Sequence, residues 1–181
     1  NAKVQEWPGI YGSDFLFTKE TIDARPLVIQ EAISQWKLGS LVSLSWHICD
    51  PKNGEPCYWD AWWTTGNGIE GSYTDAEWND LFTPGTVIYE NLYKMFDGVA
   101  THLQVLQDHG VEVLFRPFHE MNQNWFWWGG RPGLNGTSRL FRAIHDYFSN
   151  VKHLQNLGEL CGSWVSDERL TFCRYLESHI A

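Results

Sequence analysis

The sequence predicts an α/β fold with parallel strands, on three observations. Short β-rich runs alternate with longer helical patterns along the chain, the arrangement that βαβ units require. Each β-rich run ends on polar, chemistry-bearing residues: Asp14 in the first, Trp46-His47 in the second and His119-Glu120 in the third. Barrels and open α/β sheets both gather their sites at that end of the strands. Finally, 181 residues with 43% hydrophobic and 19% charged side chains suffice for one domain with a sizeable core.

The first strand lies within 8-PGIYGSDFLF-17, bounded by Pro8 and followed by polar Thr18-Lys19-Glu20. Residues 21–36 predict a helix from about Pro26, with proline in its first turn and Gly39 beyond its end. The run 41-LVSLSWHI-48 predicts a strand emerging into Cys49-Asp50-Pro51. Residues 52–86 are polar and carry Trp59, Trp62, Trp63 and Trp78; an excursion of that length is usually functional or a lid. Over 87–110, Leu92, Met95, Val99, Leu103 and Leu106 recur at helical spacing, and Gly110 suits the C′ position. These apolar residues are core rather than site. A strand is predicted over 111–118 and a helix over 137–154.

Composition narrows the function classes. The net charge of −9 argues against nucleic acid, whose phosphates need a basic patch, and against a polybasic membrane surface. No apolar run approaches the roughly 18 residues of a transmembrane helix. No signal-peptide pattern is present; because Asn1 is not an initiator Met, the expectation is that the original N-terminus has been removed. Cys49 and Cys57 flank a polar loop, and the spacing leaves a small disulfide and two free thiols equally open. Neither cysteine pair has CxxC spacing, so structural zinc is not expected. The sequon Asn135-Gly136-Thr137 suits an extracellular, secreted protein. Eleven Trp are far above ordinary usage; either the core is unusually aromatic or some indoles face a ligand, and sugars stack their apolar C–H faces on such rings.

The stretch 111-VEVLFRPFHEMNQNWFWWGG-130 concentrates these features. Glu120 follows a buried strand and precedes four aromatics. A carboxyl among apolar groups keeps its proton more readily than one in water, as a general acid must. The competing structural role is a Glu paired with Arg116 or capping a turn. His47 and His119 offer polar contacts at the same mouth, although a lone His is more often a satisfied structural residue. A metalloprotease site is set aside because Gln123 stands where the second zinc-binding His would be. No Gly-rich phosphate loop follows a strand, and Gly162-Ser163-Trp164 makes no nucleophile elbow. Of Trp125, Trp127 and Trp128, one or two are expected to line a cleft and the rest to pack, with Trp62-Trp63 as a second cleft wall.

Arg116-Pro117-Phe118-His119-Glu120-Met121-Asn122, followed by Trp125-Phe126-Trp127-Trp128-Gly129, resembles the acid/base signature of glycoside hydrolase family 26. Ser45-Trp46-His47 ahead of Asp50-Pro51, the strand running from Pro8 to Gly12-Ser13-Asp14, and the helix end at 152–157 resemble the same family, so the likeness covers about residues 7–157. Gln123 stands where the family often has Gly. The resemblance implies a (β/α)₈ barrel of TIM type and retaining hydrolysis of β-1,4-mannosidic bonds in mannan or galactomannan, with no metal or cofactor. Mixed-linkage β-glucan and xylan are the family's other substrates. By position, Glu120 would be the acid/base. His119 would orient it or the substrate, Trp125 would stack a sugar near the cleavage point, and His47 would bind the reacting sugar.

A complete barrel takes about 250 residues. The three strand–helix units read here would correspond to the second, third and fourth of eight, making the barrel incomplete, with three to four units present. Residues 1–157 would be a partial catalytic domain and 158–181 a tail that does not match the family. Retaining glycosidases need a second carboxylate as nucleophile, which the resemblance places on a strand well past residue 157. Glu159 has the look of a strand-end Glu. Yet the 38 residues between it and Glu120 hold a loop and a helix and cannot supply three further strands. No nucleophile is assigned, and the chain is expected to be inactive by itself. The alternative is a non-catalytic, carbohydrate-binding fragment. The sequence sets no oligomeric state.

Overall fold

A computed structural model describes residues 9–59 and 66–159. The predicted Trp62-Trp63 wall and nearly all of the 158–181 tail lie outside those residues. The chain runs β1 (Ile10–Phe15), α1 (Lys19–Asp23), α2 (Arg25–Lys37), β2 (Leu41–Trp46), α3 (Asp75–Asp80), α4 (Val87–Asp108), β3 (Val113–Pro117), α5 (Thr137–Asp146), a π-helical turn (Tyr147–Val151) and β4 (Leu157–Glu159).

The four strands form one parallel sheet in the order β1-β2-β3-β4. Every strand pairs with its successor and the order never reverses. An open doubly wound sheet reverses at its switch point, whereas a barrel does not. Among the described strands the order is that of part of a (β/α) barrel of TIM type. Alternation gives each strand two faces. Val42, Leu44 and Trp46 of β2 and Val113, Phe115 and Pro117 of β3 are buried against the helices: Trp46 meets Phe96 of α4 at 6.1 Å and Phe115 meets Phe148 at 5.9 Å between ring centroids. Ser43, Ser45, Leu114 and Arg116 occupy the other, half-buried face.

The long helix α4 forms as its spacing predicts. Thr86 caps it by accepting the Tyr89 N–H at 3.2 Å, and Leu92, Met95, Phe96, Val99, Leu103 and Leu106 bury one stripe. Each such side chain contributes about 1.5–3 kcal/mol of transfer free energy. Gly110 follows its C-cap with φ +68°, a left-handed conformation that a Cβ would strain.

The helix read from about Pro26 starts at Arg25, with Pro26 in its first turn, and residues 19–23 add a separate turn of helix, α1, capped by Thr18. Two elements differ from the sequence expectation. The helix read over 137–154 is α-helical only to Asp146; a π turn then carries Tyr147 and Phe148 onto Phe96. β4 was not foreseen, because three residues are too few to show an alternation. Its pairing with β3, Leu157 against Val113, is a tertiary fact.

Candidate active site

Parallel pairing in register, Asp14 against Ser45 and Trp46 against Pro117, brings three strand ends side by side. Asp14 lies on β1, His47 follows β2, and His119 and Glu120 follow β3. The two imidazoles and the carboxylate form a chain. His47 donates its main-chain N–H to Asp14 Oδ1 at 3.3 Å, and its Nδ1 is 2.8 Å from Asp14 Oδ2. Its Nε2 is 2.9 Å from His119 Nε2. The pairing of Asp14 with His47 was not read from the sequence, where Asp14 figured only as a strand end.

His119 is buried, and its pKa is pushed down to about 4. Burial is the main cause, because it penalises the charged ring, and His47 and Arg116 act in the same direction. Asp14 opposes them. The ring's Nδ1 is buried without a hydrogen bond of good geometry; the nearby Arg116 main chain favours the charged form only weakly. Trp128 holds the turn in place by donating its indole N–H to the His119 carbonyl at 2.8 Å.

Phe118 and Glu120 both adopt left-handed backbone, at φ +53° and +54°. Non-glycine residues there cost on the order of 1–3 kcal/mol each, and such positions cluster at functional sites. The turn sends Phe118 into the core and leaves Glu120 half-exposed. Among the described residues the Glu120 side chain has no hydrogen bond or ion pair, so it neither pairs with Arg116 nor caps a turn.

The indole run divides as follows. Trp127 and Trp128 are buried; Trp127 donates its indole N–H to the Ile48 carbonyl at 3.0 Å. Phe126 is buried and stacks on Trp128 at 4.4 Å. Trp125 is 50% exposed. A Cβ at Gly129 would land on the Gln123 carbonyl oxygen, so the loop needs glycine there to fold back on itself.

The excursion after β2 supplies a second wall. The Cys49–Cys57 disulfide, with Cα atoms 5.8 Å apart, decides the alternative left open by the spacing. The buried Arg25 grips Glu55 with two hydrogen bonds of 3.1 and 2.7 Å, and Cys57 donates its N–H to the Phe17 carbonyl. Trp59, 54% exposed, is thereby set 5.6 Å from His47 and 6.3 Å from Phe126. The sequence marked Trp59 only as one of several indoles in a long loop; no local pattern distinguishes it. A cavity of about 840 Å³ lies beside this mouth, walled by Tyr73, Trp78, Asn124, Trp127, Arg131 and Arg139. It contains none of His47, His119 and Glu120.

Known proteins share both the sequence and this architecture. Mannan endo-1,4-beta-mannosidase of Bacillus subtilis is 30% identical over 162 residues, which are 83% of this chain and 42% of that protein. Mannan endo-1,4-beta-mannosidase A and B of Caldalkalibacillus mannanilyticus is 31% identical over 135 residues, 71% of this chain and 24% of the relative. The chain thus spans less than half the length of these relatives. GH26A from Muricauda superposes with a TM-score of 0.73 at 34% identity, covering 83% of this chain and 47% of that one. A beta-mannanase from a symbiotic protist of the termite Reticulitermes speratus, solved with a gluco-manno-oligosaccharide, superposes at 0.67 with 28% identity, covering 84% and 46%. The profile of glycosyl hydrolase family 26 matches residues 1–168, and the chain belongs to that family.

Proposed function

We propose that this chain supplies the acid/base half of an endo-β-1,4-mannanase. The observation that carries it is the placement of Glu120. It follows His119 directly at a strand end, on a strained turn, half-exposed and unpartnered among the described residues. Relatives named as mannan endo-1,4-beta-mannosidases support the substrate.

In this mechanism Glu120 in its acid form protonates the leaving glycosidic oxygen while a carboxylate attacks the anomeric carbon. Glu120 then serves as base toward the water that releases the sugar. Retention needs the two carboxyls about 5–5.5 Å apart. Asp14 is not the nucleophile, because both its oxygens are engaged by His47. The nucleophile belongs to a strand beyond the four described. His47 and His119, whose ring nitrogens are tied to Asp14, to each other or buried, border the reacting sugar with their ring edges, and Trp125 and Trp59 stack the neighbouring ones. The Cys49–Cys57 bridge supports an oxidising, extracellular setting.

The test is carried out on a complete barrel containing this segment. Glu120→Ala is expected to lose about 10²- to 10⁴-fold in kcat on mannan. It should keep the first chemical step on an aryl mannoside whose leaving group needs no proton, and azide should restore turnover. Full activity of Glu120→Ala on mannan would refute the assignment. The half-exposed indoles favour a second reading, in which the described residues alone bind manno-oligosaccharides without cleaving them. Calorimetric titration of the 181-residue chain with mannopentaose decides that.

A further inference from the structure

The Asp14–His47–His119 chain carries a direction. Asp14 presents only acceptors to His47: Oδ1 takes the main-chain N–H and Oδ2 lies 2.8 Å from Nδ1. A proton on Nδ1 satisfies that contact. With a single proton on its ring, held at Nδ1, His47 offers only a lone pair at Nε2, so the 2.9 Å contact is completed by an N–H on His119 Nε2. That places the free lone pair of His119 on its buried, unbonded Nδ1. The reverse order would set a bare Nδ1 of His47 against Asp14 Oδ2 and leave a buried N–H on His119 Nδ1 with only the poorly aligned Arg116 main chain to accept it.

We infer that Asp14 is a positioning residue, which fixes the Nδ1–H tautomer of His47 and through it commits the only proton of His119 to His47. A histidine side chain in water prefers the opposite, Nε2–H tautomer, so Asp14 is needed to select this one. The consequence reaches the turn that holds Glu120. A His119 whose single proton is already donated, and whose other nitrogen is buried, neither gives a proton to Glu120 nor takes one from it. The Glu120 proton is then left for the glycosidic oxygen. This last step rests on the proposed acid role of Glu120; the tautomer assignment does not.

The experiment is ¹⁵N–¹H correlation of the imidazole side chains in the 181-residue chain at pH 7. The wild type is expected to show His47 protonated at Nδ1 and His119 at Nε2. In Asp14→Asn, the amide oxygen keeps the main-chain N–H and the NH₂ group faces Nδ1. His47 is then expected to lose its Nδ1–H signal and gain one at Nε2, and Asp14→Glu to keep the wild-type pattern. A wild type with His47 protonated at Nε2, or with His119 protonated at Nδ1, overturns the inference without any variant. So does an Asp14→Asn protein that keeps the Nδ1–H tautomer. If the expected tautomers are found and the complete barrel with Glu120→Ala still cleaves mannan at full rate, the role of Glu120 fails and the assignment of Asp14 stands.

Discussion

Gly71 donates its main-chain N–H to the carbonyl of Trp125 at 3.0 Å, within a short antiparallel bridge that joins the excursion after β2 to the loop after β3. Trp59 and Trp125 project from these two loops, both about half exposed. Trp59→Ala and Trp125→Ala are each expected to weaken mannopentaose binding by about 1 kcal/mol, roughly fivefold, with little change in melting temperature. Trp127→Ala and Trp128→Ala, which remove buried indoles, should instead destabilise by about 3–5 kcal/mol. Calorimetry and thermal melting on the four variants separate wall from core; a melting-temperature loss in Trp59→Ala as large as in Trp128→Ala would put Trp59 in the core.

Stability should fall with acid because of His119. Its pKa is about 4 in the folded protein and about 6.5 unfolded. As pH drops from 6.5 toward 4 the unfolded chain takes up a proton that the folded ring refuses, so the unfolded state gains. The loss is at most about 3 kcal/mol and is complete below about pH 4. Glu77, held down to about 2 chiefly by its hydrogen bond from Lys52, titrates mostly below this window. Urea unfolding between pH 7 and 4 should show a shallower slope for His119→Gln than for wild type. Equal slopes would mean that the ring titrates normally.

Asp50 is buried and accepts from the Tyr73 hydroxyl at 2.5 Å and from the Lys52 N–H at 2.9 Å. Burial raises its pKa, with both hydrogen bonds opposing. Tyr73→Phe removes one donor from a buried carboxylate and should cost about 1–3 kcal/mol at pH 7. The cost should shrink as pH falls through the raised pKa and the carboxyl becomes neutral. Denaturation midpoints at pH 7 and pH 4 for the two proteins check this; a cost that grows toward acid would reverse the sign.

Joining Cys49 to Cys57 closes a small loop, and the double Ser variant should lose about 2 kcal/mol, the chain entropy of that closure. A reducing agent should lower the melting temperature of the wild type and leave the double variant unchanged.

The elements that sequence reading recovered are those whose signal is local. Helix α4 announces itself through a 3.6-residue apolar period and Gly110. β2 and β3 do so through short β-rich runs that end where the chemistry begins. Glu120, with the indoles after it, sits in one contiguous signature. What escaped depends on residues far apart in the chain. His47 meets Asp14 across 33 residues and His119 across 72, and only the register of neighbouring parallel strands brings them together. Which indoles are buried depends on what packs over them, so Trp125 and Trp127 look alike in sequence and end on opposite sides of the surface. The sequence by itself thus determined the parallel α/β class and the position of Glu120 just past a strand end. Tertiary structure decided the histidine chain beside that acid, the disulfide and the exposed wall, because contact and burial are properties of long-range packing and not of local pattern.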